Sequence, residues 1–282
     1  MSTRLLASAG TNARFTCVLC LAVFVACGQS PDPQGGSVEE SAQGTAHEIH
    51  WGYEGEIGPA RWADLSPDFA QCGQGREQSP IDLVGAVVVE GMPLEKTRSQ
   101  GLLTVEQRAR VMDLIDNGHT IQVTSDAFMA LDLDGEHYEL VQYHFHDPSE
   151  HTVDGEQAPL EVHFVHKSAA GNLAVAALLV EVGDRDPVWD HVIAALPSGP
   201  GDSRHLDDLD LKTSELHPAS DYYRYRGSLT TPPCSEDVEW IVMADRHRIS
   251  PEQMAAITSH LHQNNRPVQP LGERELVLIS SR

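Results

Sequence analysis

The strongest constraint on this chain is a succession of short segments in which apolar and polar residues alternate, each ended by turn formers. A period of two sends successive side chains to opposite faces, as in strands with one buried face. "HTIQVTS" (119–125) leads to "FMALDLDGEHYELVQYHFH" (128–146), interrupted at Asp134-Gly135, a pair that favours a tight hairpin. "LEVHFVHK" (160–167) is followed by Gly171-Asn172 and then "LAVAALLVEV" (173–182), and "VEWIVMAD" (238–245) adds a further strand. Helical patterns are few. They are "DPVWDHVIAALP" (186–197) and "SPEQMAAITSHLHQ" (250–263), the second with Ser250 as N-cap and Gln253 completing a capping box. From residue 47 onward there is no second linker and no internal repeat. The expected fold is one mostly β domain over 47–282, a large central, mainly antiparallel twisted sheet with short surface helices.

The segment before residue 47 reads differently. "MSTRLLASAGTNAR" is basic and is followed by the 12-residue apolar run "FTCVLCLAVFVA", too short to span a bilayer comfortably. "FVAC" (24–27) then precedes a Gly/Pro/Ser-rich stretch. Residues 1–26 are thus expected to be a lipoprotein-type signal peptide and 27–46 a flexible polar linker, with Cys27 the lipidation candidate. Phe24 replaces the usual Leu of that motif, so ordinary secretory cleavage nearby is the alternative. The expected location is periplasmic or extracellular, with membrane contact only through that lipid. Of five cysteines, Cys72 and Cys234 remain in the exported part, and an even pair in an oxidising compartment argues for a disulfide.

Charge narrows the partners. With 42 acidic against 19 basic residues and a net charge of −23, the chain would repel a phosphate backbone, so no nucleic-acid partner is expected. Nothing distinguishes a monomer from a homodimer.

Five histidines crowd into residues 142–167. On the first strand one face carries Gln142, His144 and His146, while Val141, Tyr143 and Phe145 read as core. On the second, His163 shares its face with Glu161 and Val165, and His166 shares its face with Val162 and Phe164. A hairpin between the strands would bring His144, His146 and His163 together. Three imidazoles leave one tetrahedral position open, the pattern of a catalytic zinc site. Glu161 could orient His163 through its second ring nitrogen, as a carboxylate behind a ligand does. A different metal chemistry fits locally. "HFHDPSE" (144–150) has the H-x-H-x3-E form of cupin dioxygenases, with Glu150 a ligand, although Tyr138 and Gln157 stand where glycines are expected.

"YRGSLTTPPCSEDVEWIV" (225–242), with "WGYEG" (51–55), "REQSPIDL" (76–83), "NGHTIQV" (117–123), "SEHTVDG" (149–155) and "LEVHFVHK", resembles the α-class carbonic anhydrases in order and spacing. The short loop after His146, and Cys72 with Cys234, resemble the bacterial branch. The resemblance implies zinc-dependent reversible hydration of CO2 to bicarbonate and a proton, with hydroxide generated at the metal as nucleophile. It implies His144, His146 and His163 as zinc ligands, with Glu161 and Gln142 behind them. Thr230 would orient the nucleophile and donate its proton to Glu150. His119 would shuttle protons, with Tyr53, Asn117 and Gln122 along the water path; Gln122 stands where many relatives have Asn. Val165, Val175, Leu229, Val238 and Trp240 would form the apolar wall for CO2. His151 and His166 match positions used structurally. A catalytically silent binding module on the same fold is the other class this sequence allows.

Overall fold

The computed structural model describes residues 49–89, 102–104, 111–125, 130–207 and 221–280, within a compact unit spanning Glu48–Arg282. The expectations for residues 1–46, namely leader, linker and Cys27, lie outside the described residues.

Six strands carry the site: β1 (Ile121–Ser125), β2 (Glu136–His146), β3 (Leu160–Ser168), β4 (Leu173–Val182), β5 (Tyr222–Ser228) and β6 (Glu236–Met243). In space they follow the order β5-β6-β4-β3-β2-β1 within one 13-stranded sheet. Most neighbours are antiparallel, as expected. However, β4 runs parallel to both β6 and His247–Ile249, and Val87–Val89 runs parallel to Val277–Ile279. A parallel pair needs a crossover. Here the chain between β4 and β6 supplies it, passing through helix α1 (Pro187–Ala194) and β5.

Local chemistry explains the strand ends. Asp134 and Gly135 take φ of 51° and 85°, closing the expected two-residue hairpin with Leu133 opposite Glu136. Helix α2 (Pro251–Thr258) begins with the expected capping box, Ser250 and Gln253 exchanging hydrogen bonds.

One expectation fails on β2. Leu140 faces His166 across the ladder while Gln142 faces Val165, so Val141 is a bulged, unpaired residue, 49% exposed rather than in the core. The bulge switches the buried parity from Tyr138 and Leu140 to Tyr143 and Phe145. It is also what sets the histidines on the opposite face.

The sheet has a core on each side. Tyr143, Phe145, Leu160, Val162, Phe164 and Leu178 pack with Trp189 of α1 and Met254 and Ile257 of α2. Val175, Ala177, Leu179, Val238, Trp240 and Tyr225 pack on the other side. Burial on both faces is why β4 reads as an almost continuous apolar run. Each such large side chain contributes roughly 1.5–3 kcal/mol by leaving water. A disulfide joins Cys72 to Cys234 across a sequence separation of 162, as expected, and ties the loop after Thr230 to the segment Gln71–Gln74. Closing so long a loop stabilises by up to about 5 kcal/mol on the chain-entropy model. No helix among the described residues is long and apolar enough to cross a membrane.

Candidate metal centre

The register of β2 against β3 sets His144 opposite His163 and His146 opposite Glu161. His144, His146 and His163 thereby converge, with ligand atoms all within 4.8 Å of one another. The hydrogen bonds assign the ring nitrogens. His144 Nδ1 donates to Gln142 Oε1 (2.9 Å), His146 Nδ1 to the Asn264 carbonyl (2.8 Å), and His163 Nε2 to Glu161 Oε1 (2.8 Å). The lone pairs left are on Nε2 of His144 and His146 and on Nδ1 of His163. His146 Nε2 is buried without a hydrogen-bond partner among the described residues. Burial drives the His144 pKa well below its ordinary value, with His146 and His163 acting the same way, and takes His146 down to about 4. Burial also lowers His163, against the opposing charge of Glu161. The three rings are neutral donors, the form a metal requires.

Behind them, Glu161 is fully buried and saturated. Its Oε1 accepts from His163 and from His151 Nδ1 (2.6 Å), and its Oε2 from the backbone N–H groups of Glu150 and His151 (both 2.8 Å). Burial opposes its ionisation, but His151 and His163 hold the carboxyl well below the usual range. His151 Nε2 meets Tyr225 Oη (2.7 Å), which donates to Ser79 Oγ (2.9 Å), so His151 braces the floor. His166 faces the opposite core, its Nδ1 donating to the Phe164 carbonyl (2.8 Å).

Glu150 is treated differently. Its Oε1 accepts from Arg266 N (2.8 Å), while Oε2 is buried without a hydrogen-bond partner of good geometry among the described residues, 3.6 Å from His146 Nε2 and 3.8 Å from His163 Nδ1. Burial raises this carboxyl to about 7, opposed by His163, the Arg266 N–H and the Thr230 hydroxyl beside it. Thr230 is itself buried, in the loop that the disulfide anchors.

His119 lies half-buried on the turn Asn117–Thr120. Asn117 Oδ1 accepts the backbone N–H groups of His119 (3.0 Å) and Thr120 (2.9 Å), so its side chain is spent on shaping the turn. The His119 ring stacks on Trp51, centroids 3.9 Å apart and 3° from parallel. Both line a cavity of about 410 Å³ with His50, Tyr53, His260 and His262. Burial, with the Glu150 charge, raises the Tyr53 pKa. Gln122 lies opposite His144 on β1.

The five residues named for the apolar wall lie in one hydrophobic cluster. Val175 sits between Val165 on β3 and Trp240 on β6, with Val238 and Leu229 in the same cluster. The Trp240 ring lies edge-on to His163, 4.9 Å between centroids.

Three contributors escaped sequence reasoning: Asn264, Arg266 and Trp51. Asn264 and Arg266 meet His146 and Glu150 through backbone atoms, which leave no motif; Trp51 lay inside a quoted segment without a role. The donor set fits a divalent ion that takes nitrogen ligands and keeps one open position. Glu150 is not among the three converging groups, its Oε2 lying beside His146 and His163.

Residues 57–280 match the family described as eukaryotic-type carbonic anhydrase. A carbonic anhydrase from a Nostoc species is 41% identical over 233 residues, covering 82% of this chain and 87% of its own. The α-carbonic anhydrase of Thermovibrio ammonificans, solved with the inhibitor sulfanilamide, superposes with a TM-score of 0.73 at 40% identity, over 82% of this chain and 99% of that one. Dioscorin complexed with ascorbate superposes at 0.72 with 30% identity, over 83% and 99%.

Proposed function

The chain belongs to the eukaryotic-type carbonic anhydrase family and is an enzyme of that kind, and from this premise we propose that it hydrates CO2 reversibly to bicarbonate and a proton at zinc held by His144, His146 and His163. Zinc among three imidazoles lowers the pKa of water to about 7 and so supplies a nucleophile at neutral pH. Gln142, Glu161 and the Asn264 carbonyl fix the tautomer and tilt of the three rings. Glu150, pinned through Oε1 to Arg266 N, offers Oε2 to the Thr230 hydroxyl. The Thr230 hydroxyl would donate to Glu150 and so leave only lone pairs toward the open position, which would select ligands able to donate a proton. Its backbone N–H orients CO2 against Val165, Val175, Leu229, Val238 and Trp240, a dry wall suited to a linear nonpolar substrate. His119 carries the product proton to solvent. An imidazole near its ordinary pKa of about 6.5 suits that task, and Tyr53, Asn117 and Gln122 flank the route.

The observation that carries this reading is the convergence of three neutral ring nitrogens whose second nitrogens are all engaged. The test is stopped-flow CO2 hydration by the purified chain, zinc-loaded and chelator-stripped. A rate that appears with zinc and vanishes without it supports the reading. A folded, disulfide-intact sample with no zinc-dependent rate favours a binding module instead, the class that the likeness to ascorbate-complexed dioscorin brings into view.

The reading extends to location. The Cys72–Cys234 disulfide suits an oxidising compartment. Residues 1–26 act as the export signal and 27–46 as a tether, with lipid on Cys27. Cys27→Ser should release the protein from the membrane fraction; tight membrane association in that variant would overturn the anchor.

A further inference from the structure

We propose that the Asn264 side chain is a positioning residue, locking the turn that carries His119 onto the strand that carries the metal ligands. The inference rests on the function proposed above and adds a determinant of proton transfer.

The pairing of β1 with β2 covers Gln122 opposite His144 and Val123 opposite Tyr143. It ends there, so no ladder bond holds the turn Asn117–Thr120 to Phe145, His146 and Asp147. Two side chains take over. Thr120 Oγ1 donates to the Phe145 carbonyl (2.6 Å) and accepts from Phe145 N (3.2 Å). Asn264, only 1% exposed, uses one Nδ2 proton on the His119 carbonyl (3.0 Å) and the other on the Phe145 carbonyl (2.9 Å). Its Oδ1 accepts from Asp147 N (2.8 Å), and its backbone N donates to the Asp147 carbonyl (3.2 Å). Its own carbonyl takes the proton of His146 Nδ1 (2.8 Å). One residue therefore touches the last two positions of the ligand strand, the residue that follows them, and the backbone of the proton carrier.

The chemistry of the amide makes this specific. Two donors and one acceptor are needed in a buried space, and every one is engaged. A carboxylate would set an acceptor against two carbonyls; an alanine would strip the His119 carbonyl and the Asp147 N–H of these partners and leave the Phe145 carbonyl to Thr120. Releasing the lock lets the His119 turn shift relative to the metal site while the three ligands keep their own partners. A misplacement near 1 Å is enough to cost a transfer step on the order of tenfold to a hundredfold.

The experiment compares the zinc-loaded full chain with Asn264→Ala, His119→Ala and the double variant. In weak buffer, Asn264→Ala should lower kcat about tenfold and kcat/KM far less, with added imidazole restoring kcat. Against His119→Ala, the further loss should be less than about twofold, since the carrier being positioned is already gone. Amide exchange on the metal-free protein supplies a second readout, with residues 118–121 exchanging faster in Asn264→Ala and the centre of β3 unchanged. Equal falls in kcat and kcat/KM, or losses that multiply in the double variant, would overturn the proposal and leave Asn264 a stability residue. If Asn264→Ala fails to fold, Asn264→Ser, which keeps one donor, carries the same comparisons with smaller shifts. A wild-type chain without zinc-dependent turnover would overturn the reaction itself. The lock is then decided by exchange alone, and unchanged exchange at 118–121 would overturn it.

Discussion

At the floor of the site three imidazoles hang from two hydrogen-bonded strands, and each has its second nitrogen tied to an acceptor before any ion arrives. At the rim, His119 hangs from a turn outside the ladder, held by an Asn117 cap, a Trp51 stack and the Asn264 amide. The floor needs fixed geometry, because a metal selects by ligand number and direction. The rim needs a side chain that meets both the cavity and solvent, which a position inside a sheet cannot provide. The two regions should therefore answer to mutation in different currencies: metal affinity and folding for the floor, proton transfer for the rim.

The largest effect is expected from His144→Ala. Two imidazoles hold a divalent ion poorly, so metal analysis should fall from one equivalent to none, and CO2 hydration should vanish with it. Retained zinc in that variant would sink the ligand assignment. Next is Glu161→Ala, which strips four donors of their only carboxylate in a fully buried place. Breaking such a buried network should cost about 3–5 kcal/mol in urea unfolding, with zinc affinity down roughly 10–100-fold.

That floor was largely legible in the sequence because it follows parity. Residues two apart on a strand share a face, so His144 with His146, and Glu161 with His163, could be paired on paper. Parity fails where a bulge intervenes, and Val141 was misplaced for that reason. The parallel run of β4 beside β6 was not legible either, since the antiparallel reading came from hairpin signals and this pair is joined by a long crossover. The rim was legible only through family resemblance, because Asn-Gly-His marks nothing more than a turn. Asn264 and Arg266 left no signal, as the groups they give to the ligands and to Glu150 are main-chain atoms that carry no residue identity, and their side chains reach hydrogen-bond partners 117 to 194 positions away in sequence.

The rim is probed by His119→Ala. Zinc content should stay at one equivalent and kcat in weak buffer should fall by about 100-fold, the lower end of what a positioned proton carrier supplies. Imidazole in the buffer should restore much of it. A variant that loses zinc would merge the two regions and remove the contrast; an unchanged rate in weak buffer would take His119 out of the relay.

The finest distinction lies within the floor, between Gln142 and Glu161. Both accept one ring N–H from a ligand, but Gln142 is half-buried and that is its side chain's one hydrogen bond among the described residues, whereas Glu161 is sealed and accepts four hydrogen bonds in all. Water can replace the Gln142 carbonyl and cannot reach Glu161. Gln142→Ala should therefore leave urea stability nearly unchanged and weaken zinc by about tenfold, close to 1.4 kcal/mol, in a chelator competition. Gln142→Glu, with a charged acceptor behind His144, should make that ring a stronger ligand and slow zinc release relative to Gln142→Ala. Should Gln142→Ala cost as much stability as Glu161→Ala, solvent access would not be what separates the two acceptors, and the tie between Gln142 and His144 would have to be counted as part of the fold rather than as tuning of the metal.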